Sequence, residues 1–309
     1  MKWKQKPAMG MDWGHADVKW AQLQSPAPGE HRLHFLEILP IAEAKDRKEQ
    51  KKILREFVEK HHLRGTPVAV SFHENDLHTR RLTLPRLSKE DLQEAVRWQM
   101  REIAEKSIDS YSVRYSVLEE RANADTAQLL LLAFILKNEV LENRISCLQE
   151  TGLKPFFLEP STVSFASTIE RVAAKNEEEW ICAIDLGRGH ADFFIIHQGK
   201  LQFIRSLAEI VTDEAVSYTE DFATKLSLSI QSAMDAFSVP QKVEKMDRLF
   251  IGGGGAASQD LNHLLTKNLG VTTEIFNPFY GIIGAENFPL AVEKPYLFAP
   301  ALGMAILEP

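Results

Sequence analysis

Two matching stretches, DWGHAD at residues 12–17 and DLGRGHAD at residues 185–192, decide the fold of this 309-residue chain. Each stretch follows a short apolar segment and precedes two further extended segments that are joined by a tight turn. The order strand, Asp-x-Gly, strand, turn, strand therefore occurs twice, half a chain apart. A repeat of this kind predicts two related α/β lobes, each of which opens with the same β-meander.

The two Asp-x-Gly turns also have the composition of a phosphate site. Glycines let the backbone approach phosphate oxygens, and successive N–H groups bind anions. A carboxylate at the end of each first strand, Asp12 or Asp185, can hold a water bound to Mg²⁺; capping of the local turn by the same side chain is the alternative, and it stays open. A third glycine-rich turn follows a later predicted strand, where a purine and ribose can lie against bare backbone. The nucleotide-binding residues predicted in these turns are Asp12, Gly14, Asp185, Gly187, Gly252, Gly253 and Gly254, with Asp12 and Asp185 as the metal-associated pair.

Composition restricts the class of protein. A net charge of −7 and a pI near 5.9 argue against a protein that coats nucleic acid. No apolar run reaches the roughly 18–20 residues that a transmembrane helix needs, and no apolar segment follows the basic N-terminus as it would in a signal peptide. Cys147 and Cys182 have no metal-ligand spacing, so we expect small buried thiols in a reducing compartment. The sequence predicts a cytosolic protein that reaches a membrane only through a partner.

Periodicity and turn signals divide the chain into four units. Residues 1–75 are predicted to form the first lobe, and residues 76–157 a small inserted α/β unit with its own sheet. The first helix of this insert is predicted to begin at Ser88, which can accept a hydrogen bond from a free N–H group. Residues 158–179 are expected to form a return helix and a linker, and residues 180–309 the second lobe.

At these residues the chain resembles the actin, Hsp70 and sugar-kinase superfamily, and within it the PilM family of type IV pilus assembly proteins. Residues 10–14 and 18–19 are similar to the first phosphate loop, residues 185–187 to the second loop, and residues 251–256 to the adenosine motif. FtsA is a more distant relative. The resemblance spans nearly the whole chain and implies an actin-like fold, that is, a duplicated ribonuclease H-like α/β fold with a small α/β insert.

The resemblance implies a scaffold. PilM-like proteins bind ATP with Mg²⁺ between the lobes, and they hold the short cytoplasmic N-terminal peptide of the membrane protein PilN in a groove that borders the insert. Segments 84–98 and 152–161 are similar to the family's insert. Most apolar side chains of the first insert helix are expected in its core; Leu92, Val96 and Trp98 are the candidate partner-binding residues. The protein would then lie at the inner face of the inner membrane, attached through a PilN-like partner and without nucleic acid.

The phosphate loops depart from the family pattern. The family's loops are rich in Ser and Thr, whose hydroxyls donate to phosphate oxygens, whereas these loops read HAD at 15–17 and RGHA at 188–191. Asp17 places a negative charge where a triphosphate would sit, which is unfavourable in a poorly solvated cleft unless a cation offsets it. Lys19 and Arg188 are the cations placed to do so, and they complete the predicted nucleotide-binding set.

The second departure concerns the second lobe. The family's additional helical subdomain, which walls one side of the base pocket, is expected to be reduced or absent here. A single long helix with a predicted N-cap at Thr212 fills the corresponding gap in the sequence. Hydrolysis of ATP is therefore not expected, and whether ATP binds at all or the site is degenerate stays open.

Other function classes stay open. The chain could be an ATPase or sugar-type kinase of the same superfamily, a filament former, or the cytoplasmic domain of a GspL-like type II secretion protein. A kinase needs a carboxylate base at the γ-phosphate and a polar sugar pocket, and neither can be placed from the sequence. The sequence also contains no zinc-finger spacing, nucleophile elbow or Walker A motif. His73 is expected to be a core or surface histidine without a ligand.

Overall fold

The computed structural model describes residues 8–27, 29–44, 46–74, 76–122, 127–173, 178–210, 220–258 and 260–308. The strands are β1 (Met9–Trp13), β2 (Asp17–Gln24), β3 (His31–Pro40), β4 (Pro67–Phe72), β5 (His78–Pro85), β6 (Tyr111–Ala122), β7 (Ala127–Lys137), β8 (Lys154–Pro160), β9 (Trp180–Gly187), β10 (His190–His197), β11 (Lys200–Ser206), β12 (Arg248–Gly252), β13 (Thr272–Ile275) and β14 (Ile282–Ile283). The α-helices are α1 (Arg47–Lys60), α2 (Lys89–Met100), α3 (Asn138–Glu150), α4 (Ser161–Ala173), α5 (Glu220–Gln241), α6 (Leu261–Leu269), α7 (Pro289–Glu293) and α8 (Ala299–Ala305).

The first sheet contains the predicted meander. β1, β2 and β3 pair antiparallel, with Met11 opposite Trp20. β4 and β8 continue the sheet as parallel strands, and the strand order is β14-β3-β2-β1-β4-β8. Because side chains alternate along a strand, Met9 and Met11 pack on one face of β1 while Gly10 and Asp12 point to the other.

Helix α1 covers the first of these faces. Its N-cap is Asp46, whose side chain accepts hydrogen bonds from two N–H groups of the first turn, at 2.8 and 2.9 Å. Leu54, Phe57 and Val58 recur at helical spacing and are buried. The ring of Phe57 stacks on Trp20 of β2 with 5.1 Å between centroids, so the apolar faces of β2 and α1 form one core.

Helix α8 covers the other face, and Gly10 makes this possible. A Cβ added to Gly10 would lie 2.0 Å from the carbonyl oxygen of Ala301 and 2.3 Å from the nitrogen of Ala305. The helix backbone therefore rests directly on the strand. Helix α4 packs beside α8, where the Ser164 hydroxyl donates to the carbonyl oxygen of Pro300 at 2.7 Å.

The second sheet repeats the first, which confirms the predicted internal repeat. Its order is β11-β10-β9-β12-β13, with β9, β10 and β11 in an antiparallel meander and β12 parallel to β9. Helices α5 and α6 cover one face and α4 covers the other. Asp185 occupies the place in β9 that Asp12 occupies in β1, directly before the hairpin.

The inserted sheet is smaller than the unit predicted over residues 76–157. It consists of β5, β7 and β6 in that order with α2 on one face, and Ser88 caps α2 by accepting from the N–H of Asp91 at 3.1 Å. The structure places α3 and β8 in the first lobe instead, because β8 pairs with β4 and Leu148 of α3 joins the core behind β1. Two parallel strands need a crossover connection, and the inserted sheet lies within the β4–α3–β8 crossover.

The C-terminal residues also belong to a different lobe from the one predicted. The sequence pattern assigns residues 180–309 to the second lobe and 1–75 to the first. In the structure β14 pairs with β3, and α8 packs on β1 and β2, so the chain returns to the first lobe at its end. Helix α4 falls within the predicted return segment, 158–179.

A single long helix occupies most of the connection between β11 and β12. The described residues there form a short 3₁₀ turn at 208–210 and then α5, which leads to β12. Thr212, the predicted N-cap, lies outside the described residues. None of the helices in the described ranges is long and apolar enough to span a membrane.

Candidate nucleotide cleft and partner groove

Asp12 and Asp185 line one cleft between the two lobes. Both residues are only 7% exposed, and the cleft encloses a cavity of about 90 Å³. Gly252, one of the nine predicted nucleotide-binding residues, is not among those that line the cavity, and a Cβ at that position would meet the ring of Phe165 of α4 at 2.5 Å. The other eight predicted nucleotide-binding residues all line the cavity: Asp12, Gly14, Lys19, Asp185, Gly187, Arg188, Gly253 and Gly254.

Lys19 is held between two carboxylates. Its Nζ lies 2.7 Å from Oδ1 of Asp17 and 3.6 Å from Oδ2 of Asp12, and the Ser71 hydroxyl donates to Oδ1 of Asp12 at 2.9 Å. Burial would lower the pKa of Lys19, but the Asp12 and Asp17 carboxylates together raise it above its ordinary value. Burial raises the pKa of Asp12, and Lys19 offsets this only in part. Lys19, which the sequence predicts to offset the charge of a phosphate, is thus already paired with two carboxylates of the protein.

The ring of His190 covers the second Asp-x-Gly turn. A Cβ added to Gly187 would lie 1.8 Å from Cε1 of this ring, and Nε2 of His190 lies 3.5 Å from Oδ2 of Asp185. Burial would raise the pKa of Asp185, but His190 and Lys19 hold it below its ordinary value. The space above Gly187, where a phosphate would lie, therefore contains a side chain of the protein.

The glycine-rich turn after β12 completes the cleft. Gly253 has a φ of 77°, and its N–H donates to the carbonyl oxygen of Tyr296 at 3.0 Å. A Cβ on Gly253 would lie 2.5 Å from Oδ1 of Asp185, so glycine is needed for this close approach. Gly254 faces open space, and Arg188 is exposed at the cleft wall. This side of the predicted nucleotide site remains accessible.

Sequence reasoning missed a buried histidine at this cleft. His73, which follows β4, points its Nδ1 at Oδ2 of Asp192 with 2.8 Å between them. Its ring stacks on His190 at 4.0 Å between centroids and 18° between planes, and the His15 ring lies 5.4 Å from it at the cleft mouth. Burial, followed by the charges of His73 and His190, lowers the pKa of His15. The carboxyl ends of parallel β1 and β4 meet at one edge of the sheet, and this signal could have placed His73 here.

The structure separates the three predicted partner-binding residues. Leu92 and Val96 are 5% and 0% exposed in the core of the insert, so their assignment as partner contacts is corrected. They share the inner face of α2 because they lie four positions apart. Trp98 is 68% exposed on the same helix. Of the three, Trp98 is the side chain that a partner can reach.

A larger cavity of about 720 Å³, here called the groove, lies between the insert and both lobes. The start of the insert lines it with Leu77 and Thr79, as do Ile103 after α2 and the end of β11 with Ile204. Ala208, in the 3₁₀ turn that follows β11, is exposed at its rim. His73 lines both the groove and the nucleotide cleft, so the two cavities share a wall.

A family model described as type IV pilus assembly protein PilM matches residues 10–209 and 209–307. The chain belongs to the PilM family. The match includes both Asp-x-Gly turns, the glycine-rich turn and the insert, and it confirms the resemblance seen in the sequence. None of the curated proteins matches the chain.

Solved structures share the fold of this PilM-family chain. A PilM–PilN type IV pilus biogenesis complex matches with a TM-score of 0.79 and 17% identity, over 99% of this chain and 100% of that chain. A Bacteroides thetaiotaomicron protein with an actin-like ATPase fold and unknown function gives 0.50 and 10%, over 88% and 91%. The inorganic polyphosphate/ATP-glucomannokinase from Arthrobacter sp. strain KM gives 0.51 and 15%, over 98% of both chains. The predicted actin-like fold is confirmed.

Proposed function

We propose that this chain is a cytoplasmic scaffold of the inner-membrane complex that assembles a type IV pilus. Its partner is the cytoplasmic N-terminal peptide of a PilN-like membrane protein, through which it is held at the inner face of the membrane. The PilM-family match over nearly the whole chain carries the proposal. The fold shared with a PilM–PilN complex supports it. A net charge of −7 suits a cytoplasmic segment of a membrane protein, which is commonly rich in Lys and Arg.

The groove is the proposed peptide site. Its volume of about 720 Å³ lies within the roughly 300–1,000 Å³ of ligand pockets. Apolar side chains from different units, including Leu77, Ile103 and Ile204, line it beside polar groups such as Thr79. A short peptide can bury apolar side chains there while its backbone meets polar partners. Trp98 is not among the residues that line the groove, and we propose it as a second contact on the outer face of the insert.

We infer that the cleft does not hold ATP with Mg²⁺ in this arrangement. Its cavity of about 90 Å³ is well below the roughly 300 Å³ at which ligand pockets begin. Asp12 and Asp185 carry the oxygen ligands that Mg²⁺ prefers, but Lys19 is engaged by carboxylates and His190 covers Gly187. We infer a degenerate nucleotide site and a protein that is not an ATPase.

Calorimetric titration of the purified chain tests the proposal. The titrant is a synthetic peptide with the sequence of the cytoplasmic N-terminal segment of the PilN-like protein from the same genome. Ala208→Arg places a long cation at the groove rim, and Trp98→Ala removes the second contact. Leu228→Arg, at a 68% exposed position on α5, is the matched control.

We expect one peptide per chain, with affinity about tenfold or more weaker for Ala208→Arg and unchanged for Leu228→Arg. Absence of binding, or equal binding by the wild type, Ala208→Arg and Trp98→Ala, would overturn the proposed site. A parallel titration with Mg²⁺ and ATP should give no heat. If the wild type binds ATP and an Asp12→Ala, Asp185→Ala double variant does not, the inference of a degenerate nucleotide site is wrong, while the proposed peptide site is unaffected.

A further inference from the structure

Three buried metal-ligating side chains meet in the wall between the cleft and the groove. They are His73 from the first lobe and His190 and Asp192 from β10 of the second lobe, and each offers one ligand atom within 4.8 Å of the other two. All three are at least nine-tenths buried, with exposures of 8%, 9% and 5%. The His–Asp cluster, as we name these three residues, is thus isolated from bulk solvent and joins the two lobes.

His190 is the unusual member of the His–Asp cluster. Its Nδ1 has no hydrogen-bond partner in the described part of the chain, and its Nε2 has only a long contact of 3.5 Å with the Asp185 carboxylate. A buried polar group without a partner destabilises the folded state, because it loses its hydrogen bonds to water and gains none in the protein. Buried ring nitrogens in native structures normally have a partner, so this pair of nitrogens needs a physical explanation.

The stacking of His73 on His190 limits how the His190 ring nitrogens can be satisfied. The rings of His73 and His190 are 4.0 Å apart at their centroids, so two protonated imidazoles would repel each other in a poorly solvated place. Neutral imidazoles beside a carboxylate are instead the ligands of a transition-metal ion. Mg²⁺ prefers oxygen ligands, so a site with two nitrogen donors is chemically different from the Asp12 and Asp185 pair.

We propose that His73, His190 and Asp192 bind a divalent transition-metal ion, with Zn²⁺ as the expected ion. Ligand atoms of a four-coordinate zinc lie about 3.4 Å apart, given zinc–ligand bonds of about 2.0–2.2 Å. The ligand atoms of the His–Asp cluster lie within 4.8 Å of one another, so side-chain rotations that move them by about an ångström bring them to this spacing. His15, whose ring lies 5.4 Å from that of His73 at the cleft mouth, or a water supplies the fourth ligand.

Metal binding here has a structural consequence. One ligand comes from the segment after β4 and two come from β10, so the ion cross-links the lobes across the wall that the cleft and the groove share. The alternative is a metal-free latch, in which the 2.8 Å contact between His73 and Asp192 is the whole function of the cluster. This alternative predicts no specific metal binding.

The test uses the full chain after removal of metals with a chelator. Zn²⁺ is titrated by calorimetry and Co²⁺ by visible absorption, in the presence of excess Mg²⁺. The variants are His190→Gln and Asp192→Asn, and the control is His78→Gln, an exposed histidine that lines the groove outside the cluster. Thermal unfolding verifies that each variant is folded.

We expect one equivalent of Zn²⁺ per chain, with affinity at least about tenfold weaker in both variants and unchanged in the control. The X-ray absorption spectrum of the zinc-loaded wild type should show nitrogen and oxygen ligands with scattering from two or more imidazoles. If a variant does not fold, this spectrum of the wild type still tests whether histidines bind the zinc ion. Absence of saturable binding by the folded wild type, binding that both variants retain, or a spectrum with fewer than two imidazoles would overturn the site.

Discussion

The ring of His190 lies on Gly187 so closely that a Cβ added to the glycine would come within 1.8 Å of Cε1. Gly187→Ala must therefore displace the ring from Asp185. We expect a loss of about 1–3 kcal/mol in the free energy of unfolding, measured by urea denaturation. Gly254→Ala is the matched control, because nothing lies within 4 Å of its added Cβ. That variant should stay within about 0.5 kcal/mol of the wild type, and equal losses in both variants would contradict the contact.

Lys19 should stabilise the fold as the counter-ion of the cleft carboxylates. Lys19→Met leaves Asp12 and Asp17 without their cation, and removing one partner of a buried ion pair costs about 3–5 kcal/mol. The exposed Lys52, paired with Glu56 at 3.8 Å, provides the control, since surface pairs contribute about 0–1 kcal/mol. Chemical denaturation measures the loss in the free energy of unfolding for Lys19→Met and for the control Lys52→Met.

A second substitution tests the cause of the Lys19 effect. Asp12→Asn in the Lys19→Met background removes one of the unpaired charges, so it should recover part of the lost stability. If the double variant is as unstable as the sum of the two single variants, the charge explanation is wrong.

Glu159 should make the stability of the chain depend on pH. Burial raises its pKa from 4.5 to about 7. The folded state thus holds the proton more tightly than the unfolded chain, so this stabilisation is complete below pH 4.5 and is lost as the pH rises through about 7. The stability of the wild type relative to Glu159→Gln should therefore be greater at pH 5 than at pH 8. Glu94→Gln, at an exposed position, is the control. If the difference in stability between the wild type and Glu159→Gln is the same at pH 5 and pH 8, the pKa of Glu159 is not raised.

Leu92 and Trp98 on α2 should respond in opposite ways to truncation. Leu92→Ala removes a core side chain of the insert and should cost about 2–5 kcal/mol of stability. Trp98→Ala should change stability by less than about 0.5 kcal/mol, because the ring is 68% exposed. Thermal unfolding of the two variants checks this. A strongly destabilised Trp98→Ala would show that the ring is packed.

The repeat was readable from the sequence because its signals are local. An apolar strand that ends in Asp-x-Gly, with Asp12 or Asp185 at the same place, needs no knowledge of distant residues. The short apolar segment before each turn predicts a strand from its own residues. The gathering of the two Asp-x-Gly turns at one cleft then follows from the duplicated fold.

The lobe boundaries were not readable because they depend on long-range packing. An apolar segment such as α8 can cover either sheet, and only the close approach of its backbone to Gly10 determines which one. β8 is likewise a short strand whose partner, β4, lies on the far side of the insert. His73 was missed for the same reason, since Asp192 and His190 are far from it in sequence.

The most direct test of the proposed function is the location of the chain in cells. The measurement is the fraction that sediments with membranes when the chain is produced with the full-length PilN-like protein or with a version lacking the cytoplasmic segment. We predict membrane association with the full-length partner only, and its loss in Ala208→Arg but not in Leu228→Arg. A chain that sediments equally with both versions of the partner, or with neither, would contradict the scaffold role.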